Sequence, residues 1–180
     1  VGETPIKPIL KGAQREEGFA VFNDNFRDAL KGPWHNTDPG YVQTGKNIEA
    51  VKIGIRGSID DFAADPIETI NYVSCHDGRT LWDQLVASTG NNKMYTDTQL
   101  KAMDKLAAFI IFTSQGIPFM QGGEEFLRTK FGSNNSYNQP DKINKIRWDY
   151  KQENHDIFAY YQGLIRIRRD HPMFRMETAE

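Results

Sequence analysis

The chain has 180 residues, with 22 Lys and Arg against 24 Asp and Glu and a formal net charge of −2. That balance supplies no basic stripe for nucleic acid or for an anionic membrane surface, so neither is expected as a partner. No run reaches the roughly 18 apolar residues of a membrane helix, the best stretch, 106–112, being far shorter. A single cysteine, Cys75, excludes an internal disulfide framework. The length suits one domain or a piece of a larger one. A chain that opens on Val1 rather than Met, with no charged-then-apolar leader, is expected to be a processed or partial one. The compartment, whether secreted, cell-surface or cytoplasmic, is left open.

In chain order, residues 1–18 read as loop, punctuated by Pro and Gly. Phe19-Ala20-Val21-Phe22 is a short apolar run that suits a buried strand. Asn23-Asp24 is a turn and N-cap signal for a helix over 25–31, stopped by Gly32-Pro33. Residues 33–57 read mostly as loop, and Ser58 is a candidate cap for a short helix over 59–64. The β-favouring stretch 69–75 reads as a second strand, with His76-Asp77-Gly78 as its C-terminal loop. A helix is expected over 79–88, with Leu81, Trp82, Leu85 and Val86 on its buried face, ended by Gly90-Asn91-Asn92. The longest helix is expected over 98–114, capped by Thr96 or Asp97, with a stripe of Leu100, Met103, Ala107, Ile110 and Ile111. Gly116 stands where a left-handed C-terminal cap belongs. Residues 117–121 form the third strand candidate, and 128–150 read as a long polar and aromatic loop. A last helix, opened by Asn154 or Asp156 and running to about 169, has Ile157, Phe158, Tyr161, Leu164 and Ile165 as its apolar face. This alternation means an α/β fold with parallel strands. Three strands cannot close a (β/α)8 barrel, which takes roughly 250 residues, so a barrel here is a partial one.

Three segments carry candidate chemistry. His76-Asp77 directly follows a strand, where ligands of α/β folds collect. There a carboxylate and an imidazole can bond adjacent hydroxyls of a sugar, and the carboxylate can stabilise positive charge on a ring during glycosidic cleavage. The competing reading makes Asp77 a helix cap and His76 a turn residue. Gln121-Gly122-Gly123-Glu124-Glu125 also follows a strand; adjacent carboxylates point in different directions, which favours a tight turn over an acid–base pair, and no phosphate-loop lysine follows. The stretch 134–141 combines amides, a hydroxyl, Tyr137 and Asp141, a composition equally suited to sugar binding and to a solvated loop. His35 and His155 are isolated, no zinc or iron spacing occurs, and Cys75 reads as a buried apolar residue rather than a nucleophile.

These pieces resemble the type I pullulanases of the alpha-amylase superfamily. The residues 71–77, followed by Thr80-Leu81-Trp82-Asp83, resemble that superfamily's last conserved region. Phe22-Asn23-Asp24, Phe26-Arg27-Asp28 and Lys31-Gly32 are similar to the segment after the fifth barrel strand. Residues 116–126 resemble the eighth strand and its loop. Asn135-Ser136-Tyr137-Asn138, Pro140-Asp141, Ile143-Asn144 and Trp148 resemble the debranching-enzyme loop that follows. The resemblance covers roughly 19–174 and implies strands six to eight of a (β/α)8 barrel with their helices. It implies hydrolysis, with retention, of α-1,6 links in pullulan, glycogen or branched dextrins. It gives Asp77 the role of transition-state stabiliser and places His76, Tyr137, Asn138 and Asp141 against the glucan. No cofactor or metal is expected in this chain, and calcium in a longer parent is left open.

The chain departs from the family pattern at the main catalytic pair. The nucleophile belongs in a Gly-x-Arg-x-Asp context, but Gly54-Ile55-Arg56-Gly57-Ser58 has Ser58 in its place. The acid belongs in a Gly-Glu-x-Trp context; Gly2-Glu3-Thr4-Pro5 lacks the Trp and a preceding strand, so Glu3 is not read as the acid. Retaining hydrolysis needs both carboxyls, about 5–5.5 Å apart, so the chain alone is expected to be inactive. The alternative is a glucan-binding or structural module from the same barrel. A partial barrel is expected to pack against the rest of its parent or a second copy.

Overall fold

The computed structural model describes residues 10–90 and 94–180. The Gly2-Glu3-Thr4-Pro5 segment and the Asn91-Asn92 helix end lie outside them. Three short strands, β1 (Val21–Phe22), β2 (Thr69–Asn71) and β3 (Ile117–Pro118), form a sheet of order β1-β2-β3. Both pairings are parallel, with Val21 beside Thr69 and Ile70 beside Ile117. The α/β expectation therefore holds, but each strand is shorter than the apolar stretch that marks it. Beyond the paired residues the chain is held by single bonds, such as Phe119 N–H to the Asn71 carbonyl at 2.8 Å.

Polar side chains tie the strands together. Asn23 donates to Ser58 Oγ at 2.8 Å and to Asn71 Oδ1 at 3.0 Å. Asn71 in turn donates to the Gln115 carbonyl at 2.6 Å. Asn23, Ser58 and Asn71 are all buried, where unpaired amides would be costly and paired ones fix register.

Between β1 and β2 run α1 (Asp24–Lys31), α2 (Tyr41–Thr44) and α3 (Ile48–Ile55). Helix α1 starts as the sequence indicates, with Asn23 Oδ1 accepting from Phe26 N–H at 3.1 Å, and ends at Gly32, whose φ is 101°. The second and third helices correct the loop reading of 33–57. Helix α3 contains Gly54, which normally counts against a helix, but an added Cβ there would stand 2.2 Å from the Phe26 ring. The glycine is the point of closest approach between α1 and α3. The helix expected over 59–64 is absent: Ser58 adopts φ 54°, and the segment forms turns leading into a 3₁₀ turn at Pro66–Glu68.

Helix α4 (Leu81–Ala87) and helix α5 (Asp97–Thr113) connect β2 to β3. Thr80 caps α4, and Thr96 with Gln99 forms a capping box on α5. Helix α5 is buried on two sides. Leu100, Ala107, Ile110 and Ile111 join α1, α3 and α4 in one core, and Ala108 and Phe112 join Ile157, Tyr161 and Leu164 in a second. The last three come from α8 (His155–Asp170), which follows the short α6 (Asp141–Asn144) and α7 (Asp149–Glu153). The expected stripes of α4 and α8 are each one residue too wide, since Val86 and Ile165 are exposed. Arg168 of α8 is buried and donates to the carbonyls of Phe112, Ser114 and Gly116 at 2.6–3.0 Å. It closes the end of α5 where the backbone leaves carbonyls without partners. Gly116 follows with φ 96°, and a Cβ there would stand 2.4 Å from Thr69 Oγ1.

The register places Phe22, Tyr72, Ile117 and Phe119 on the sheet face opposite α1–α5. Three of these rings interlock edge to face, with Phe22 5.0 Å from Tyr72 and 5.3 Å from Phe119. Phe22, Ile117 and Phe119 are nevertheless 44%, 37% and 37% exposed. The strands are thus covered on the helix side only.

Candidate functional site

The C-terminal ends of the three strands open onto a cleft of about 910 Å³. Its floor carries Phe22, Tyr72 and Phe119, and Arg27 lies over Tyr72, donating to its hydroxyl at 2.7 Å. One wall is the segment after β2. Tyr72, Val73 and Ser74 are buried, Cys75 is half-buried, and His76 and Asp77 emerge with side chains 88% and 71% exposed. His76 Nε2 lies 3.0 Å from Asp77 Oδ1. Asp77 does not cap α4, since Thr80 Oγ1 accepts from Asp83 N–H at 3.1 Å instead. The carboxylate is left facing the cleft. Cys75 is correspondingly not a strand residue but lies past the end of β2 on the cleft wall.

The opposite wall is the segment after β3. Gly123, with φ 94°, opens a 3₁₀ turn at Glu124–Phe126 that sends the two glutamates apart. Glu124 is buried and accepts from Ser74 Oγ, while Glu125 accepts from Gly123 N–H at 2.9 Å. Burial pushes the Glu124 carboxyl up to about 7. The turn reading of this segment holds, with one of its carboxylates buried. Farther on, Arg128 donates to the carbonyls of Gly122 and Asn144, both at 2.9 Å. Asn144 donates back to the Ser136 and Gln139 carbonyls at 2.6 and 2.9 Å. These bonds fold 134–144 into a closed loop along the rim.

His76, Asp77 and Tyr137 come together on the cleft, Tyr137 standing 84% exposed with its ring free to stack. Asn138 and Asp141 are exposed but are not among the cleft's lining residues, and Asp141 is the first residue of α6. Ser58, which ends the Gly54-Ile55-Arg56-Gly57 run, is buried against Asn23 and is not among the residues lining the cleft. The structure adds Trp34, Arg128, Lys31, Lys130, Asn134 and Asn144 to the lining. Trp34 lies in the stretch read as loop, Lys31 stands in a segment matched to the family with no role of its own, and nothing in the sequence marks Lys130. Ligand atoms of Cys75, His76 and Asp77 lie within 4.8 Å of one another, the one such grouping among the described residues. The His76–Asp77 contact already engages two of its three members.

The arrangement can bind a chain of hydroxyl-bearing rings: an aromatic floor, an exposed tyrosine at the rim, and amide, imidazole and carboxylate groups on the walls. No family model matches the chain. It is 37% identical over 180 residues to a pullulanase of Bacillus subtilis strain 168, covering 96% of this chain and 25% of that protein. In structure it matches the pullulanase of Bacillus acidopullulyticus with a TM-score of 0.92 and 45% identity, over 99% of this chain and 22% of that one. It also matches the pullulanase of Paenibacillus barengoltzii, solved in complex with maltohexaose and alpha-cyclodextrin, with a TM-score of 0.85 and 41% identity over 90% of this chain and 26% of that one. The chain thus spans about a quarter of the length of each of these three relatives. In sequence and in the path of its backbone, it belongs to the pullulanase family as a segment of that family's longer fold.

Proposed function

We propose that this chain is the part of a (β/α)8 barrel holding strands six to eight, in a longer protein that hydrolyses α-1,6-glucosidic links in pullulan, glycogen or branched dextrins with retention. The observation that carries the reading is the placement of Asp77, uncapped and solvent-facing, at the strand ends of a cleft with an aromatic floor, in a chain homologous to pullulanases. The three parallel strands with helices on one face, and exposed aromatics on the other, are what a sector of such a barrel presents.

In this reading Asp77 bonds two adjacent hydroxyls of the sugar at the cleavage point, and its charge stabilises the oxocarbenium-like transition state. His76 bonds the same sugar and orients the carboxylate through their 3.0 Å contact. Tyr137 stacks on a neighbouring ring, and Asn138 and Asp141 reach the glucan from the outer side of the rim loop. The nucleophile and the general acid come from outside these residues. Besides Asp77, the one carboxylate lining the described cleft is Asp24, in the first turn of α1 and paired with Lys11, while Glu124 is buried outside the lining, so neither is assigned to the pair. The purified 180-residue chain should therefore release no reducing sugar from pullulan, while the longer protein does. Turnover by the chain alone, surviving Glu3→Gln, would overturn this account of where the catalytic pair lies.

A further inference from the structure

Two lysine side chains lie beneath the segment that carries Asp77. Lys31, the last residue of α1, is 1% exposed and donates from Nζ to the Arg79 carbonyl at 2.9 Å. Lys130, from the segment after β3, is also 1% exposed and donates from Nζ to the His76 carbonyl at 3.3 Å. Among the described residues neither forms a salt bridge with a carboxylate. Buried ammonium groups are costly without a charged partner. Both are used here on main-chain carbonyls, at the two ends of one four-residue stretch, 76–79.

Each lysine is itself anchored. Lys31 is fixed by the end of α1, where Gly32 N–H donates to the Asp28 carbonyl at 3.0 Å. Lys130 is held by Asp83 of α4, whose carboxylate accepts from Lys130 N–H at 2.6 Å and from Thr129 Oγ1 at 2.5 Å. The stretch between them has few restraints of its own. Gly78 has φ 68°, and beyond the His76–Asp77 contact the Asp77 carboxylate makes no hydrogen bond to another described residue. Burial lowers the affinity of both lysines for their protons, Lys31 to about 8.

We propose that Lys31 and Lys130 are positioning residues that clamp residues 76–79 from two sides and thereby fix where the Asp77 carboxylate stands in the cleft. The role rests on the hydrolase reading above, because a fixed carboxylate matters most where charge develops on a substrate. It adds to that reading two residues at the cleft's edge whose ammonium groups are spent on the backbone of 76–79. Preorganised groups act through the transition state, so loosening them should lower kcat with little effect on KM.

The test is Lys31→Met and Lys130→Met in the full-length protein that contains this chain, with hydrogen–deuterium exchange of peptides covering 74–80 and kinetics on pullulan. Exchange at 76–79 should speed up by about tenfold in each variant, the scale of one lost hydrogen bond, while peptides of α5 and α8 keep their protection. The kcat should fall by about the same factor, with KM changed less than about twofold. Unchanged exchange at 76–79 in both variants, or a loss of protection spread equally over α5 and α8, would overturn the clamp. Asp77→Asn separates this from a failure of the hydrolase reading. Normal turnover in that variant sinks the reading even if the clamp's exchange signature is present. Lost turnover in it, with exchange and kcat unaffected by either lysine variant, sinks only the clamp.

Discussion

Glu124 shows how much one buried side chain can shape the behaviour of the site. It sits under the cleft, accepts from Ser74 and lies near Lys31, yet burial dominates and its carboxyl is pushed up to about 7. Asp104, also buried and accepting from the Tyr161 hydroxyl at 3.1 Å, is raised too, first by burial and then by Glu124. A carboxyl whose folded pKa exceeds its unfolded value of 4.5 favours folding fully below that value. The contribution is lost as pH rises through about 7. At 1.36 kcal/mol per pKa unit, a rise of this size corresponds to roughly 3 kcal/mol. Glu124→Gln mimics the protonated form. In urea melts it should match the parent near pH 4.5, exceed it near pH 8, and give a shallower fall between. An unchanged slope would mean that Glu124 stays ionised in the folded protein.

At the scale of elements, the exposed aromatic face has a consequence for association. Phe22, Ile117 and Phe119 present apolar surface on the side away from the helices, and β1 and β3 leave both sheet edges unpaired among the described residues. Exposed apolar patches and open edges seek partners. In the isolated chain, a second copy is the partner expected. Light scattering should report self-association, reduced by Phe22→Ser with Phe119→Ser; a monomer with a cooperative melt would mean the helices satisfy this sheet alone. The same elements show what could be read from the sequence. Capped helices were legible, because Asn23 and Thr96 announce their first turns. Helix α3 was not, because Gly54 looks like a breaker until the Phe26 ring is found above it. Asp104 and Phe112 were missed because α5 is buried on two faces and its sequence suggests one stripe. Of the site, His76-Asp77 could be read from its place after a strand. Lys31, Lys130 and Arg128 could not, since their roles rest on carbonyls brought near by folding.

At the scale of the whole molecule, the proposal is that the chain forms one sector of a larger enzyme. Its strands, its cleft and its homology to proteins about four times its length point the same way. The central claim is that Asp77 stabilises the transition state of glucan hydrolysis in the longer protein. It is tested most directly by the turnover of pullulan by that protein carrying Asp77→Asn, with glucan affinity and thermal stability measured alongside. Losing one preorganised charged group should lower kcat by about 10²–10³, with the melting temperature unchanged, because Asp77 is exposed and caps no helix. Near-normal turnover in a fully folded variant would contradict the account.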